Sequence, residues 1–276
     1  MNAVLSRNAP RINHRAVIAS RQLPYASMDY AVVGNALQLV GEELCETVNL
    51  CQEQRVLDVA TGNFNASLAA ARRWCDVTAT DHVSDLLHRS RQRLEAESAG
   101  VRIVDGEVDG LPFADQSFDA VLSCFGAMFA ADQERAASEM IRVCQRGGQV
   151  GLTNWTPDGF IGQLFKTVVK HAPQGSAGAM PCDWGTRDRI EELFGAYGNI
   201  EVDGKQVAFR SRTPMDWVDK LRTVYLPVRG IFAALDADRK RRLRSDLLEL
   251  VAKFNRATDG TMIVDAAYLE VAITRR

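Results

Sequence analysis

The chain has 276 residues, 46% of them hydrophobic, and 33 Lys and Arg face 35 Asp and Glu for a net charge of −2. A chain of this length buries about three quarters of its unfolded surface, as one large domain or two small ones. The near-neutral balance argues against nucleic-acid and acidic-membrane partners, and no apolar run reaches the roughly 18 residues of a membrane helix.

The first 28 residues carry Arg7, Arg11, Arg15 and Arg21 and no acid. Transit peptides share that bias, and the reading preferred here is a basic flexible tail over residues 1–21. Residues 22–276 then form a single domain, opened by a helical cover at 22–50 that includes "DYAVVGNALQLVGEEL". Six cysteines, at 45, 51, 75, 124, 144 and 182, form no C-x-x-C pair and have no histidine at ligand spacing. They read as reduced, mostly buried thiols of a cytoplasmic protein with no metal site.

From residue 55 to 155 short apolar runs alternate with helical patterns. "VLDVA", "DVTATD", "VRIVDG", "FDAVLSCFG" and "QVGLTNW" are strand candidates, and helices are expected at about 64–74, 84–98 and 132–146. The last begins at an N-cap, Asp132, and stops at Gly147-Gly148. Such alternation predicts a parallel sheet covered by helices on both faces, with ligands bound beyond the carboxyl ends of its strands. Helices follow at 158–171 and 187–197, joined by the loop "APQGSAGAMPCDWGT", and this stretch, 157–197, reads as a helical lid. A strand "IEVDGKQVAFR", helices at 214–235 and 238–256, and a final strand in "GTMIVDAAYLEVAITRR" close the chain. The basic run "RKRRLR" is the wet face of an amphipathic helix, since Leu243, Leu247 and Leu250 share the opposite stripe.

The stretch "RVLDVATGNFNASLAAARRWCDVTATD", 55–81, reads strand, glycine turn, helix, strand. Gly62 suits a sharp turn that a ligand approaches closely, and the free N–H groups of the next helix point at that ligand. Asp81 ends the second strand 19 residues later, placed to accept from both hydroxyls of a ribose. A dinucleotide site wants G-x-G-x-x-G. This chain has one glycine there and an acid, Asp58, four residues before it. A carboxylate repels a pyrophosphate but suits a ligand with an amino group and a sulfonium, which points to S-adenosylmethionine.

"VLDVATGNFNASLAAARR", "VTATD", "VRIVDGEVDGLPFADQSFDAVLSCFG" and "EMIRVCQRGGQVGLTNW" resemble the class I S-adenosylmethionine-dependent methyltransferases, nearest the bacterial branch labelled ubiquinone/menaquinone-biosynthesis-like. The likeness implies an α/β, Rossmann-like doubly wound sheet of seven mostly parallel strands with an antiparallel C-terminal strand. It implies a cofactor site built from Asp58, Ala60, Gly62 and Asn63, the ribose acid Asp81 with its neighbour His82, and Glu107 and Val108 at the adenine. Ser123, Cys124 and Phe125 would end the fourth strand, facing cofactor and acceptor. Three residues depart from the family pattern. Phe64 replaces a turn glycine, Tyr25 stands where relatives often have Trp, and Met28 where they have Gly. Phe64 is an aromatic wall at the sulfonium, a residue that weakens cofactor binding, or a ring packed outside the turn.

Tyr25, Tyr30, Phe64 and Phe125 are the candidates for the reacting site, and Phe129, Trp155, Phe160 and Trp184 for the rest of an aromatic pocket. No clear general base emerges: His171 is the best placed of the four histidines, and His14 and His88 lie in the tail and on a surface helix. The expected activity is in-line methyl transfer to a small, apolar or aromatic metabolite, in a monomer or homodimer. Two alternatives are a lyase that cyclises the amino-acid part of the cofactor, releasing methylthioadenosine, and a non-catalytic protein of the same fold. A nicotinamide-dependent reductase is disfavoured by the missing glycines.

Overall fold

The computed structural model describes residues 34–172 and 181–276. The tail, with Tyr25, Met28 and Tyr30, lies outside the described residues, as does most of the loop between the two lid helices.

One sheet holds seven strands: β1 (Arg55–Val59), β2 (Asp76–Asp81), β3 (Arg102–Asp105), β4 (Phe118–Cys124), β5 (Cys144–Trp155), β6 (Gly198–Ser211) and β7 (Met262–Arg275). Their order is β3-β2-β1-β4-β5-β7-β6. Strands β1 to β5 pair in parallel, and β7 runs antiparallel between β5 and β6. The order reverses between β1 and β4, so their carboxyl ends open the crevice in which such sheets hold ligands. The charged amino end of β1 fixes its register: Arg55 pairs with Asp119 of β4 through Nε at 3.1 Å and Nη2 at 3.0 Å. Val56, Leu57 and Val59 behind it are fully buried.

Helices α1 (Gln38–Thr47) and α2 (Asn65–Ala71) cover one face. Leu44, Cys45, Ala66, Ala69 and Ala70 pack there on Val56, Ala120 and Leu122. The helices nearly touch at Gly41, where a Cβ would lie 2.8 Å from the carbonyl group of Asn65. Helix α3 (Ser84–Ala96) lies beside α2 over β2 and β3. The larger core joins the sheet to α4 (Gln133–Val143), α5 (Phe160–His171), α6 (Arg187–Phe194), α7 (Pro214–Val224), α8 (Leu226–Ala234) and α9 (Ala237–Phe254). Asp132, Thr186, Thr213 and Asp236 each cap the helix that follows, accepting an N–H of its first turn.

Several expected helices are shorter than their patterns, and two of them show why. The 214–235 stretch divides into α7 and α8 at Tyr225, whose backbone is extended. Pro227 follows at the start of α8 and has no N–H with which to continue the ladder of α7. Helix α4 stops at Val143, because Cys144 already pairs with Phe118. Gly147, at φ +76°, turns residues 145–148 aside before pairing resumes between Gln149 and Ala120. Among the described residues no helix is long and apolar enough to cross a membrane.

Candidate active site

The turn after β1 is tightly coiled. Ala60, Gly62 and Phe64 take φ of +51°, +56° and +60°, left-handed at every second residue. Two of the three carry a Cβ, at a cost of about 1–2 kcal/mol each, so the surroundings must hold the turn firmly. Asp58 does this from inside: its Oδ2 accepts from the Ser67 N–H (2.9 Å), the Ser67 hydroxyl (2.6 Å) and the Thr61 hydroxyl (2.5 Å). Its Oδ1 is buried with no hydrogen-bond partner among the described residues. Burial dominates over the bonds from Ser67 and Thr61 and pushes the Asp58 carboxyl up to about 6.

Asp81 holds the turn from the side. Its Oδ2 accepts from the Gly62 N–H and its Oδ1 from the Val83 N–H, both at 3.0 Å. The Nδ1 of His82 lies 3.4 Å from the same Oδ1. A carboxylate has about four acceptor positions, so hydroxyls can still approach Asp81. Asn63 ties the turn to the segment before α1: its Nδ2 donates to Asn35 Oδ1 at 3.1 Å, and Asn65 Nδ2 donates to the Gly34 carbonyl at 2.7 Å. Arg93 of α3 donates to the Asn63 carbonyl and, at 2.9 Å, to Asn65 Oδ1. The sequence separates these residues by some 30 positions, and no local pattern announces Arg93 as a brace.

Beyond β3, Glu107 and Val108 enter a turn closed by the Gly110 N–H on the Glu107 carbonyl at 3.1 Å. Gly106, before them, donates to the Asp81 carbonyl at 3.2 Å, which places this turn beside the end of β2. At the end of β4, Ser123 turns out to brace the backbone. Its hydroxyl donates to the Val59 carbonyl (3.1 Å) and accepts from the Ala127 N–H (2.8 Å), leaving it little capacity for a ligand. Burial pushes the Cys124 thiol up to about 12, so it stays protonated. Phe125 follows at φ +57°, pinned by its N–H to Thr153.

The Phe125 ring opens a cavity, partly open to solvent, at the carboxyl ends of β4, β5 and β6. Phe125 lies on Trp155, ring planes 7° apart and centroids 3.8 Å apart, with Tyr268 edge-on at 5.4 Å. Phe129, Phe209, Trp217 and Tyr225 extend the aromatic wall, and Leu37, Ile161 and Leu164 complete one side. Of the pocket aromatics expected from sequence, Phe125, Phe129 and Trp155 are brought together. Phe160 and Trp184 are fully buried elsewhere, Phe160 against Phe254 and Trp217, Trp184 against Phe194. His171 does not line the cavity either: its Nε2 lies 2.8 Å from Asp246 Oδ2, an interhelical tie between α5 and α9.

Phe64 requires a correction. As a wall at the sulfonium it would face the crevice, but its ring is fully buried among Leu68, Ala79, Leu87 and Leu94, between α2, α3 and the sheet. A left-handed backbone at a helix N-cap aims the Cβ back under the helix, and the apolar gap there takes the ring. The packing alternative is therefore the one observed.

Phe209, Trp217 and Tyr225 escaped the sequence reading. A faint signal exists in Trp217, Leu221 and Val224, an apolar stripe at helical spacing on α7, but such a stripe does not tell a pocket wall from core.

The geometry is thus a crevice in which Asp58 Oδ1 is buried without a donor among the described residues, beside an aromatic cavity. The unpartnered oxygen of Asp58 and the remaining acceptor positions of Asp81 suit a cationic amino group and a ribose. Residues 57–152 match the family described as "Methyltransferase domain". An uncharacterised protein of Mycobacterium tuberculosis is 32% identical over 267 residues, 92% of this chain and 94% of that one. A demethylmenaquinone methyltransferase of Deinococcus radiodurans is 34% identical over 122 residues, 43% of this chain and 51% of that one. The solved structure of a methyltransferase candidate from Bacillus halodurans superposes with a TM-score of 0.62 at 24% identity, over 86% of this chain and 99% of that one. Crevice, turn and likeness agree: residues 57–152 belong to the methyltransferase domain family, set in a Rossmann-like fold.

Proposed function

We propose that this protein methylates a small, apolar or aromatic metabolite held in the cavity beside Phe125. The observation that carries the reading is the position of Phe125: it follows β4 directly at the cofactor crevice and, stacked on Trp155, also walls the cavity. When bound, the cofactor supplies a methyl group already activated on a positively charged sulfur. The chain's part is to hold two partners in line and keep water out. Asp58 Oδ1 accepts from the cofactor's amino group, Asp81 from its ribose, and Glu107 and Val108 meet the adenine. Phe125, Trp155 and Trp217 close the acceptor side.

Among the described residues the cavity lining holds no His, Asp or Glu. An acceptor already deprotonated, or one with a free lone pair, therefore fits best, since a base is needed only where a proton must leave. One sheet runs through the described residues, with hydrophobic clusters packed against it, which supports the reading of a single domain. Six free thiols support a cytoplasmic setting.

The test is to incubate the purified protein with S-adenosylmethionine, alone and with a panel of hydroxylated and aminated aromatic acceptors, and to analyse the products. S-adenosylhomocysteine formed only with an acceptor supports the proposal. Methylthioadenosine from cofactor alone would replace it by cyclisation. Calorimetric binding of cofactor with neither product would make the protein non-catalytic.

A further inference from the structure

The aromatic cavity has a charged mouth. Fourteen residues line it, and the charged ones are Arg210, next to Phe209 on β6, and Lys220 on α7. Both side chains are exposed, and neither has a carboxylate within 4 Å among the described residues. The acids nearest to them in the chain are already taken. Asp216 pairs with Arg212 at 2.9 Å and Asp219 with Arg244 at 3.2 Å. Lys220 acts on Asp216 as a further, weaker charge, and the Arg212 guanidinium is the main cause holding that carboxyl below its usual range. Two basic residues thus border an apolar lining that contains no acid.

From this juxtaposition we propose that the acceptor is an aromatic anion, whose ring lies between Phe125, Trp155 and Trp217 and whose carboxylate, sulfonate or phosphate meets Arg210 and Lys220. The proposal rests on the cavity being the acceptor site. An Arg fork matches a planar carboxylate in two bonds, and Lys adds a point charge. Both charges stay exposed, so they add a charge preference to the apolar contact rather than most of its affinity. The same pair sorts substrates, since a neutral aromatic of equal size gains the walls but not the charges, and a cationic one is repelled.

The charge preference can be read without knowing the natural acceptor. The probes are 1-anilinonaphthalene-8-sulfonate and its neutral counterpart N-phenyl-1-naphthylamine, both fluorescent in apolar sites. Wild type is expected to bind the sulfonate more tightly, with an affinity that falls as salt is raised from 0.05 to 0.5 M. Arg210→Gln with Lys220→Gln is expected to weaken the sulfonate by about tenfold and leave the neutral probe and S-adenosylmethionine affinity unchanged. Trp155→Ala should weaken both probes, which locates them in this cavity. Equal loss of both probes in the double glutamine variant, no loss of either, or no binding of either to wild type overturns the proposal.

Turnover then separates the two readings. With 6-hydroxy-2-naphthoate and 2-naphthol as acceptors, S-adenosylhomocysteine formed preferentially from the naphthoate, and less in the double variant through KM, supports both. Methylation of the naphthol alone sinks the charge inference and keeps the methyltransferase. Charge-selective binding with no S-adenosylhomocysteine from any acceptor upholds the anion site and sinks the methyltransferase reading.

Discussion

The N–H of Gly62 donates to Asp81 Oδ2 at 3.0 Å, so the carboxylate at the end of β2 also closes the turn at the end of β1. One side chain thereby shapes the cofactor crevice and stands in it. Asp81→Ala should lose twice. Cofactor affinity should fall by about 10–100-fold, through lost bonds to the ribose. Stability should fall by about 1–3 kcal/mol, because the amides of Gly62 and Val83 lose their acceptor. Calorimetry and urea denaturation measure the two effects. Unchanged affinity in a folded variant would remove Asp81 from the cofactor site.

Asp58 predicts the opposite pairing. Its folded carboxyl titrates at about 6 against 3.8 for an unburied one, raised by burial. Between those values the folded chain holds a proton that the unfolded chain has released. Stability from this group therefore falls as pH rises through the window, and the full cost, about 3 kcal/mol, stands at pH 7. Asp58→Asn keeps one oxygen for Ser67 and Thr61 and removes the charge. It should raise the melting temperature of the ligand-free protein at pH 7 and lose that advantage at pH 4. Cofactor affinity should drop more than tenfold, because the amide presents a donor where the cofactor's amino group needs an acceptor. A variant that gains no stability, or that binds as wild type, contradicts this account.

The same carboxyl links cofactor binding to pH. A cation against Asp58 Oδ1 favours the ionised form, so binding near pH 6 should release a proton. Calorimetry in two buffers of different ionisation enthalpy measures the release directly. The expected result is a fractional proton lost near pH 6, little at pH 8, and none at either pH in Asp58→Asn.

Trp155 separates acceptor from cofactor. Trp155→Phe shortens the wall on which Phe125 stacks and leaves the turn untouched. It should cost about 1–2 kcal/mol of stability, admit bulkier acceptors and leave cofactor affinity within twofold. Thermal melts and a KM series over acceptors of increasing width give the check. A cofactor affinity that falls as far as the acceptor KM rises would place Trp155 in the crevice instead.

How far the sequence revealed this molecule depends on how local each signal was. The strand β2 stands where "DVTATD" places it, residue for residue, because an apolar run ending in an acid is a signal within six positions. That Gly62 and Asp81 serve one ligand site was legible for a similar reason, since strand, turn and helix have nearly fixed lengths; the hydrogen bond between them was not read from the sequence. The cavity was not legible in this way. Phe125, Phe209, Trp217 and Lys220 come from the end of β4, from β6 and from α7, and meet only when β6 and α7 fold back over the ends of β4 and β5. Arg210 and Lys220 each read as one more wet charge until the acids beside them are seen paired with other arginines.

Phe64 shows how a deviation from a family pattern is misjudged when only its backbone role is considered. Where relatives carry glycine, φ is +60° and the strain of a side chain counts against folding. The ring is fully buried, however, and burial of a phenylalanine is worth about 1.5–3 kcal/mol or more against a strain of about 1–2 kcal/mol. Phe64→Gly should therefore relieve the backbone and empty the cluster of Leu68, Leu87 and Leu94, for a net loss of about 2–4 kcal/mol. Phe64→Leu should retain part of the packing and fall between. Both should bind S-adenosylmethionine within about threefold of wild type and turn over normally at temperatures where they stay folded. Denaturant midpoints, calorimetry and turnover at 15 °C on the three proteins decide the matter. A Phe64→Gly variant as stable as wild type but slower by more than about tenfold would return the ring to the reacting site.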